Sequence, residues 1–426
     1  MKKLKDQNVK GAVDYLPEEE TIRRNIRRTL EDTFIQYNCL PLETPILNKQ
    51  DLLSSKYAGG AEILEEMYTL SDRGERELAL RYDLTIPFAK VVAMNPDLQM
   101  PFKRYEIGKV FRDGPVKPGR FREFTQCDVD VTGVDSPLAE AELMEMACDI
   151  FSKLNLEVTI QYNNRKLLAG LLESISIPEP LLNDVILTLD KLEKIGMDGV
   201  KKELQQKGVS SQSIALVEKE TQQWMNKEIC YFKSYSSANE KVKQGLQELE
   251  ELTSYIEGLG LQKRCKFNPF LARGLDIYTG TIYEIFLTDQ SISSSIGSGG
   301  RYDSAIGGLL GTGEPVSTVG ISFGLDVILT AIKSKEEPLS LDENPDYLII
   351  PIGTKLEALI VASSYRKKGY RVELDMSGKR TGKSLDSANK RGIKQVIFVG
   401  EQEVESNEIV LKLLEEGNEE RIPFQF

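Results

Sequence analysis

Three runs of this chain bring together residue types that could do chemistry. The first, F-R-D-G-P-V-K-P-G-R-F-R-E-F-T-Q-C-D-V-D at 111–130, sets Arg112, Arg120 and Arg122 beside Phe124. Guanidinium groups grip phosphate oxygens in forked geometry and a ring can stack on a base, so this grouping suits a bound nucleotide. Gln126 and Asp130 lie an even number of residues from Phe124, which on a strand puts all three on one face. Polar groups there, bounded by apolar residues, are costly unless they meet a ligand. The plain alternative is a solvated sheet face with surface salt bridges. The second run, F-L-A-R-G-L-D-I-Y-T-G-T-I-Y-E-I-F at 270–286, places Arg273 in an apolar setting. Gly274 beside it permits close backbone approach, and Tyr278 follows. Here the alternative is an arginine paired with a buried acid. The third run, G-S-G-G-R-Y-D at 297–303, is rich in glycine, and such stretches alone mark tight turns more often than ligand loops.

The composition removes other chemistries. There is no histidine, so a histidine-based hydrolase triad, a zinc site of histidine ligands and a histidine general base are all excluded. Five cysteines, at 39, 127, 148, 230 and 265, form no C-x-x-C pair, as expected of free thiols in a reducing compartment. No resident metal is expected. The net charge of -12 argues against indiscriminate coating of nucleic acid but leaves room for a local basic surface. No run of eighteen apolar residues occurs, and the basic N-terminus lacks the apolar stretch of a signal peptide, so a cytoplasmic location is expected.

These residues need elements to position them. Residues 17–37 predict an amphipathic helix: Pro17 opens it, three glutamates fill the first turn, and Ile22, Ile26, Leu30 and Phe34 recur every fourth residue. Leu40–Leu47 is a short extended segment punctuated by prolines. Residues 78–95 begin as a strand and become a helix after Pro87. Residues 102–133 form an antiparallel hairpin with a long Gly/Pro loop. Charged amphipathic helices fill 178–257, and strand character returns at Phe267 and persists to Phe286. A strand runs into a helix through Gly324. After a linker-like stretch, 346–426 alternates strand and helix as a small α/β domain with a largely parallel sheet.

Taken together these runs resemble the class II aminoacyl-tRNA synthetases, and within them the histidyl-tRNA synthetase family, over nearly the whole chain. K-G-A-V-D-Y-L-P at 10–17 is similar to the family's N-terminal signature, and L-P-L-E-T-P at 40–45 to the dimer-forming motif 1. L-R-Y-D-L-T at 80–85 resembles the amino-acid loop, 111–130 resembles motif 2, and A-R-G-L-D-I-Y-T-G-T at 272–281 resembles a peptide distinctive of histidyl enzymes. The resemblance implies an α+β fold: an antiparallel-sheet catalytic domain (1–170 and 258–332), a helical insertion (171–257), a linker (333–345) and an α/β anticodon-binding domain (346–426). It implies a homodimer that joins histidine to histidine tRNA with ATP, Mg²⁺ serving as the counter-ion of ATP.

Residue by residue, the resemblance gives Asp83, Leu84, Thr85 and Gln126 to the substrate's amino-acid end, with Asp83, Thr85 and Gln126 on the α-ammonium. Arg112 contacts the carboxylate and α-phosphate, Arg120 holds ATP and Phe124 stacks on adenine. Asp130 and Tyr278 meet the imidazole, with Ile277 beside them. Arg273 contacts both histidine and ATP, and Arg273 and Arg112 are the catalytic pair. The sequence departs from the pattern at three places. Gly114 stands where motif 2 has glutamate, Ile277 where a tyrosine is common, and Val327 where motif 3 has an ATP-binding arginine. A regulatory paralogue, the histidine-sensing subunit of ATP phosphoribosyltransferase, shares the catalytic resemblance. Ten basic residues between Arg366 and Lys394 favour a tRNA-binding domain instead.

Overall fold

The computed structural model describes residues 8–54, 65–117, 119–237, 239–273, 277–335 and 344–426. Gly274 and most of the expected linker lie outside these residues. The chain divides into two compact units, Met1–Leu339 and Ser340–Phe426. Among the described residues, no helix is long and apolar enough to cross a membrane.

The first unit contains β1 (Leu40–Pro41), β2 (Leu47–Lys49), β3 (Thr69–Ser71), β4 (Glu77–Leu80), β5 (Phe102–Phe111), β6 (Glu123–Thr132), β7 (Val158–Asn164), β8 (Cys265–Phe267), β9 (Thr281–Leu287), β10 (Gly297–Arg301) and β11 (Thr318–Gly324). Eight of these make one sheet in the order β1-β5-β6-β11-β10-β9-β7-β8, and β2-β4-β3 make a small second sheet. Only the outermost pairs of the large sheet, β1/β5 and β7/β8, are parallel. The expected hairpin is β5/β6, in register from Phe102↔Thr132 to Phe111↔Glu123.

The two-residue period of β6 sorts its side chains. Cys127, Val129 and Val131 enter the main apolar core. The helix Pro17–Gln36 covers that face, burying Ile26, Leu30 and Phe34 completely, with the Phe34 ring 5.5 Å from Tyr105 and 6.0 Å from Phe323. Phe124, Gln126, Asp128 and Asp130 therefore point to the other face. One side of the sheet is thus an oily layer that fixes the register, and the other is a polar platform.

Three local expectations are corrected. The helix predicted after Pro87 starts earlier, at Thr85, and runs to Met94. Proline is tolerated in a first turn, and the Asp83 carboxylate accepts the Ile86 N–H there. The strand predicted from Phe267 to Phe286 is broken: β8 ends at Phe267 and β9 begins at Thr281. In the gap Arg273 takes a left-handed φ of 64°, and the N–H groups of Ala272 and Arg273 go to the Asp190 carboxylate instead of a ladder. The glycine-rich run at 297–301 is an inner strand rather than a turn. It needs glycine because a Cβ on Gly299 would meet the Gly320 carbonyl at 2.0 Å.

Helices Glu179–Leu189, Leu192–Gln206, Ser211–Trp224 and Glu240–Gly258 occupy the segment read as helical. The helix Arg165–Ser174 runs through the expected boundary at 170/171.

In the second unit, β12 (Tyr347–Ile352), β13 (Val372–Leu374), β14 (Gln395–Gly400), β15 (Glu408–Leu413) and β16 (Glu419–Pro423) order as β13-β12-β14-β15-β16. Only β12/β13 and β12/β14 are parallel, so the sheet is mixed rather than largely parallel. The reason lies in the connections: 401–407 and 414–418 are too short for a parallel crossover, and each returns its strand antiparallel.

Candidate functional site

On the polar face of the large sheet, buried polar side chains gather without full satisfaction. Buried polar atoms of Arg104, Gln126, Asp128, Thr132 and Arg273 lack hydrogen-bond partners there. Native interiors satisfy nearly all such atoms, so a cluster of this kind marks a surface built for a ligand.

Asp130 sits at the centre. Arg104 lies 2.7 Å from one carboxylate oxygen, and the Tyr302 hydroxyl donates to the other. Burial pushes the Asp130 pKa up, while Arg104 and the Tyr302 hydrogen bond pull against it. Asp130 can lean over β11 only because its neighbour there is Gly320, where a Cβ would come within 2.0 Å of the carboxylate. The next residue in that row is Gly300 of β10, and Tyr278 lies over it, 2.9 Å from where a Cβ would be. The Asp130 carboxylate thus stands over Gly320 and the Tyr278 ring over Gly300, register partners on neighbouring strands, so an acid and a phenol come together over two residues without side chains.

The amino-acid loop meets this row from one side. Asp83 is buried and accepts backbone N–H groups at the start of its helix. Burial raises its pKa, and those N–H groups and the Arg112 charge oppose the rise. Leu84 is fully buried, close above Gly108, and Thr85 opens the helix. Arg112 lies over both Tyr82 and Phe124, 4.1 and 5.1 Å from the ring centres, with its Nε donating to the Tyr82 carbonyl at 3.2 Å. Gln126 donates to Ser322 Oγ at 2.8 Å, leaving its own oxygen without a donor.

Arg273 stands at the far side. Its Nη1 is 2.9 Å from Glu284 of β9, its guanidinium lies 5.7 Å from the Tyr278 ring, and its Nε is buried and unpartnered. Burial works against its charge, but Tyr278 and Glu284 outweigh that and raise its pKa, so it stays a cation. Asp190, which follows one insertion helix, and Arg165, which donates to the Ala272 carbonyl at 3.2 Å, hold its loop. The structure therefore finds an acidic partner for Arg273, one that leaves part of the guanidinium free. Ile277 joins an apolar cluster with Phe88, Val92 and Tyr302.

Arg120 is half exposed and pairs with Glu66 at 3.1 Å. The same carboxylate fills the space at Gly114, where a Cβ would lie 2.5 Å from it. An acid is thus present at that spot, supplied from elsewhere in the chain. Val327 packs against the core and under the hairpin loop, 3.6 Å from where a Cβ on Gly119 would stand.

Sequence reasoning missed Arg104, Asp128, Tyr302, Ser322, Glu66, Glu284 and Asp190. Asp128 was within reach, since it belongs to the same even-numbered series as Gln126 and Asp130. The others become visible only once strand register and loop closure are known.

Comparison with known proteins bears on what this platform serves. The family description "Histidyl-tRNA synthetase" matches residues 11–328, and "Anticodon binding domain" matches residues 346–426. The chain is 55% identical to Histidine--tRNA ligase 2 of Shouchella clausii over 428 residues, covering all of both chains. It is 56% identical to Histidine--tRNA ligase 1 of Bacillus cereus (strain ATCC 14579), covering 98% of this chain and 97% of that one. Among solved structures, histidyl-tRNA synthetase from Nostoc sp. PCC 7120 superposes with a TM-score of 0.81 at 29% identity, covering 99% of this chain and 97% of that one.

Proposed function

Since the chain belongs to the histidyl-tRNA synthetase family and is a histidine–tRNA ligase, we propose a division of labour among the residues of its polar platform. Histidine lies along β6 with its imidazole between Asp130 and Tyr278. The observation that carries this reading is the acid and the phenol brought together over Gly320 and Gly300. A carboxylate held by Arg104 and Tyr302 fixes the tautomer of the ring nitrogen it accepts from. Asp83, Thr85 and Gln126 take the α-ammonium, with Leu84 and Ile277 shaping the walls.

ATP binds over Phe124, whose ring stacks on adenine, with Arg112 at the α-phosphate and Arg120 further along the phosphates. Mg²⁺ accompanies ATP as its counter-ion. The histidine carboxylate attacks the α-phosphate in line, the bond to the β-phosphate oxygen breaks, and pyrophosphate leaves. Arg112 and Arg273 stabilise the charge that gathers on the α-phosphate oxygens. The ribose hydroxyl at the tRNA 3′ end then attacks the carbonyl of the adenylate, giving histidyl-tRNA and AMP. No side chain acts as a nucleophile, so a chain without histidine lacks nothing it needs; positioning and fixed charge supply the rate.

Residues 346–426 take the anticodon stem. On that unit Lys379, Arg380, Lys383 and Lys390 are exposed and make no ion pair among the described residues, whereas Arg391 is tied to Glu373. The segment 171–257 acts as the insertion domain and 333–345 as the linker. The working form is a cytoplasmic homodimer. The full-length identity to histidine–tRNA ligases and the presence of the anticodon domain set the regulatory-subunit alternative aside. The test is charging of histidine tRNA by the purified chain, with formation of AMP. Charging with another amino acid, or none, would refute the reading.

A further inference from the structure

Among the acids of the platform Asp128 stands apart. It is buried, at 3% exposure, on β6 between Gln126 and Asp130, opposite Glu106 of β5 and Ser322 of β11. Its neighbours on the sheet have cations in contact: Glu106 has Arg81 at 2.8 Å, Asp130 has Arg104 at 2.7 Å and Glu284 has Arg273 at 2.9 Å. Asp128 makes no ion pair among the described residues, and its Oδ1 has no hydrogen-bond partner. A carboxylate taken out of water without a counter-charge in contact is costly, so the platform holds an unmatched acid.

Its surroundings specify what would match it. Ser322 Oγ accepts from Gln126 Nε2 and hydrogen-bonds Asp128. That chain turns the Gln126 oxygen away from Ser322 and leaves it, like Asp128 Oδ1, an acceptor without a donor. Two unfilled acceptor oxygens, two residues apart on one face, one of them on a group that can ionise, suit a ligand with several N–H donors, a positive charge and no lone pair. An alkylammonium fits that description. The ring end of the platform is already organised by Asp130, Arg104 and Tyr302.

We infer that Asp128 supplies the counter-charge to the α-ammonium of histidine and is a specificity-determining binding residue of this site. This rests on the reading of the platform as the histidine site and adds an anion that the family resemblance did not assign. Asp83, already committed to N–H groups at the start of its helix, is the partner across the ammonium rather than its sole anion.

The assignment carries a proton. The groups facing Asp128 are Arg104 and Glu106 on β5, Asp130 beside it, Ser322 on β11 and Asp83 from the amino-acid loop. Burial, reinforced by Asp130 and Asp83 and opposed by Arg104, raises its pKa to about 8. At neutral pH Asp128 is therefore held protonated, and an ammonium brought beside it ionises it. Histidine binding near pH 7 therefore releases a proton from this carboxyl. For stability the sign follows from the raised pKa: the folded chain holds a proton that the unfolded chain gives up near pH 4. Asp128 therefore costs progressively more stability as the pH rises from about 4 to about 8.

The experiment uses the full chain, histidine and imidazolepropionate, which is histidine without its ammonium. Asp128→Asn should raise the histidine KM in ATP–pyrophosphate exchange at pH 8 by roughly ten- to a hundredfold, the range for a hydrogen bond to a charged group. Its kcat and ATP KM should stay within a few-fold of wild type, and its binding of imidazolepropionate should not weaken. The melting temperature of Asp128→Asn should gain on wild type between pH 5 and pH 8. Calorimetry at pH 7 in buffers of different ionisation enthalpy should show the wild-type chain releasing more protons on binding histidine than Asp128→Asn does. An unchanged histidine KM, or equal proton release by wild type and Asp128→Asn, overturns the assignment. Equal weakening for histidine and imidazolepropionate also overturns it, placing Asp128 at the ring. A wild-type chain that binds no histidine would instead refute the underlying reading of the platform.

Discussion

Replacing Arg273 with alanine separates a transition-state role from a structural one, because the two predict different magnitudes. The guanidinium makes one short contact, 2.9 Å to Glu284, and both side chains retain about a fifth of their exposure, 18% and 21%. Glu284 left alone can recover water, so the stability cost falls below the roughly 3–5 kcal/mol of a fully buried pair. We expect about 1–2 kcal/mol, a fall in Tm of a few degrees. Alanine inherits the left-handed backbone at φ 64°, so no strain is relieved to mask the loss. A preorganised donor facing developing charge is worth about 3–4 kcal/mol, or roughly a hundred- to a thousandfold in rate. Single-turnover adenylate formation should slow by that factor while the histidine and ATP affinities change much less. Arg273→Lys should recover only part, since an ammonium cannot fork across two oxygens. The double replacement Arg273→Met with Glu284→Gln removes the pair without orphaning an acid. If it restores adenylate formation to within a few-fold of wild type, the arginine merely neutralises Glu284 and the transition-state argument is wrong.

Gly320→Ala puts a methyl group 2.0 Å from the Asp130 carboxylate, so it should raise the histidine KM at least tenfold. It should also cost about 1–3 kcal/mol of stability by overpacking, read by steady-state kinetics and denaturant unfolding. A chain ending at Leu339 should keep histidine-dependent pyrophosphate exchange and lose most tRNA charging, and equal charging by the two forms would unseat the role given to residues 346–426. Val327→Arg should change the ATP KM by a small factor and weaken packing under the hairpin loop, as measured by exchange kinetics and Tm. A large gain in kcat would mean that the wild-type site is crippled at its ATP end.

How far the sequence reached depended on how local each signal was. The period of four in Ile22, Ile26, Leu30 and Phe34 and the two-residue alternation along β6 need only neighbouring residues, and both located their elements. Pro87 misled because a proline stops a helix in its interior but not in its first turn, and only the Asp83 contact tells the two apart. The glycines at 297–300 looked like a turn because their requirement comes from Gly320 and Tyr278, residues far away in sequence or on another element. Arg273 looked like a strand residue because its apolar neighbours matched one. The carboxylate of Asp190, more than eighty residues away, claims its backbone instead. The substitution at Gly114 has the same character: Glu66 fills the space, and nothing in the linear motif announces it. The resemblance to a family supplied roles, and the register supplied the neighbours that make those roles physically possible.

The most direct test of the account is histidine-dependent ATP–pyrophosphate exchange by the purified full-length chain, run against each of the other amino acids. The account predicts exchange with histidine alone, abolished or slowed by the same hundred- to thousandfold factor in Arg273→Ala. Binding of histidine with no exchange would contradict it and make the platform a sensor rather than a catalyst.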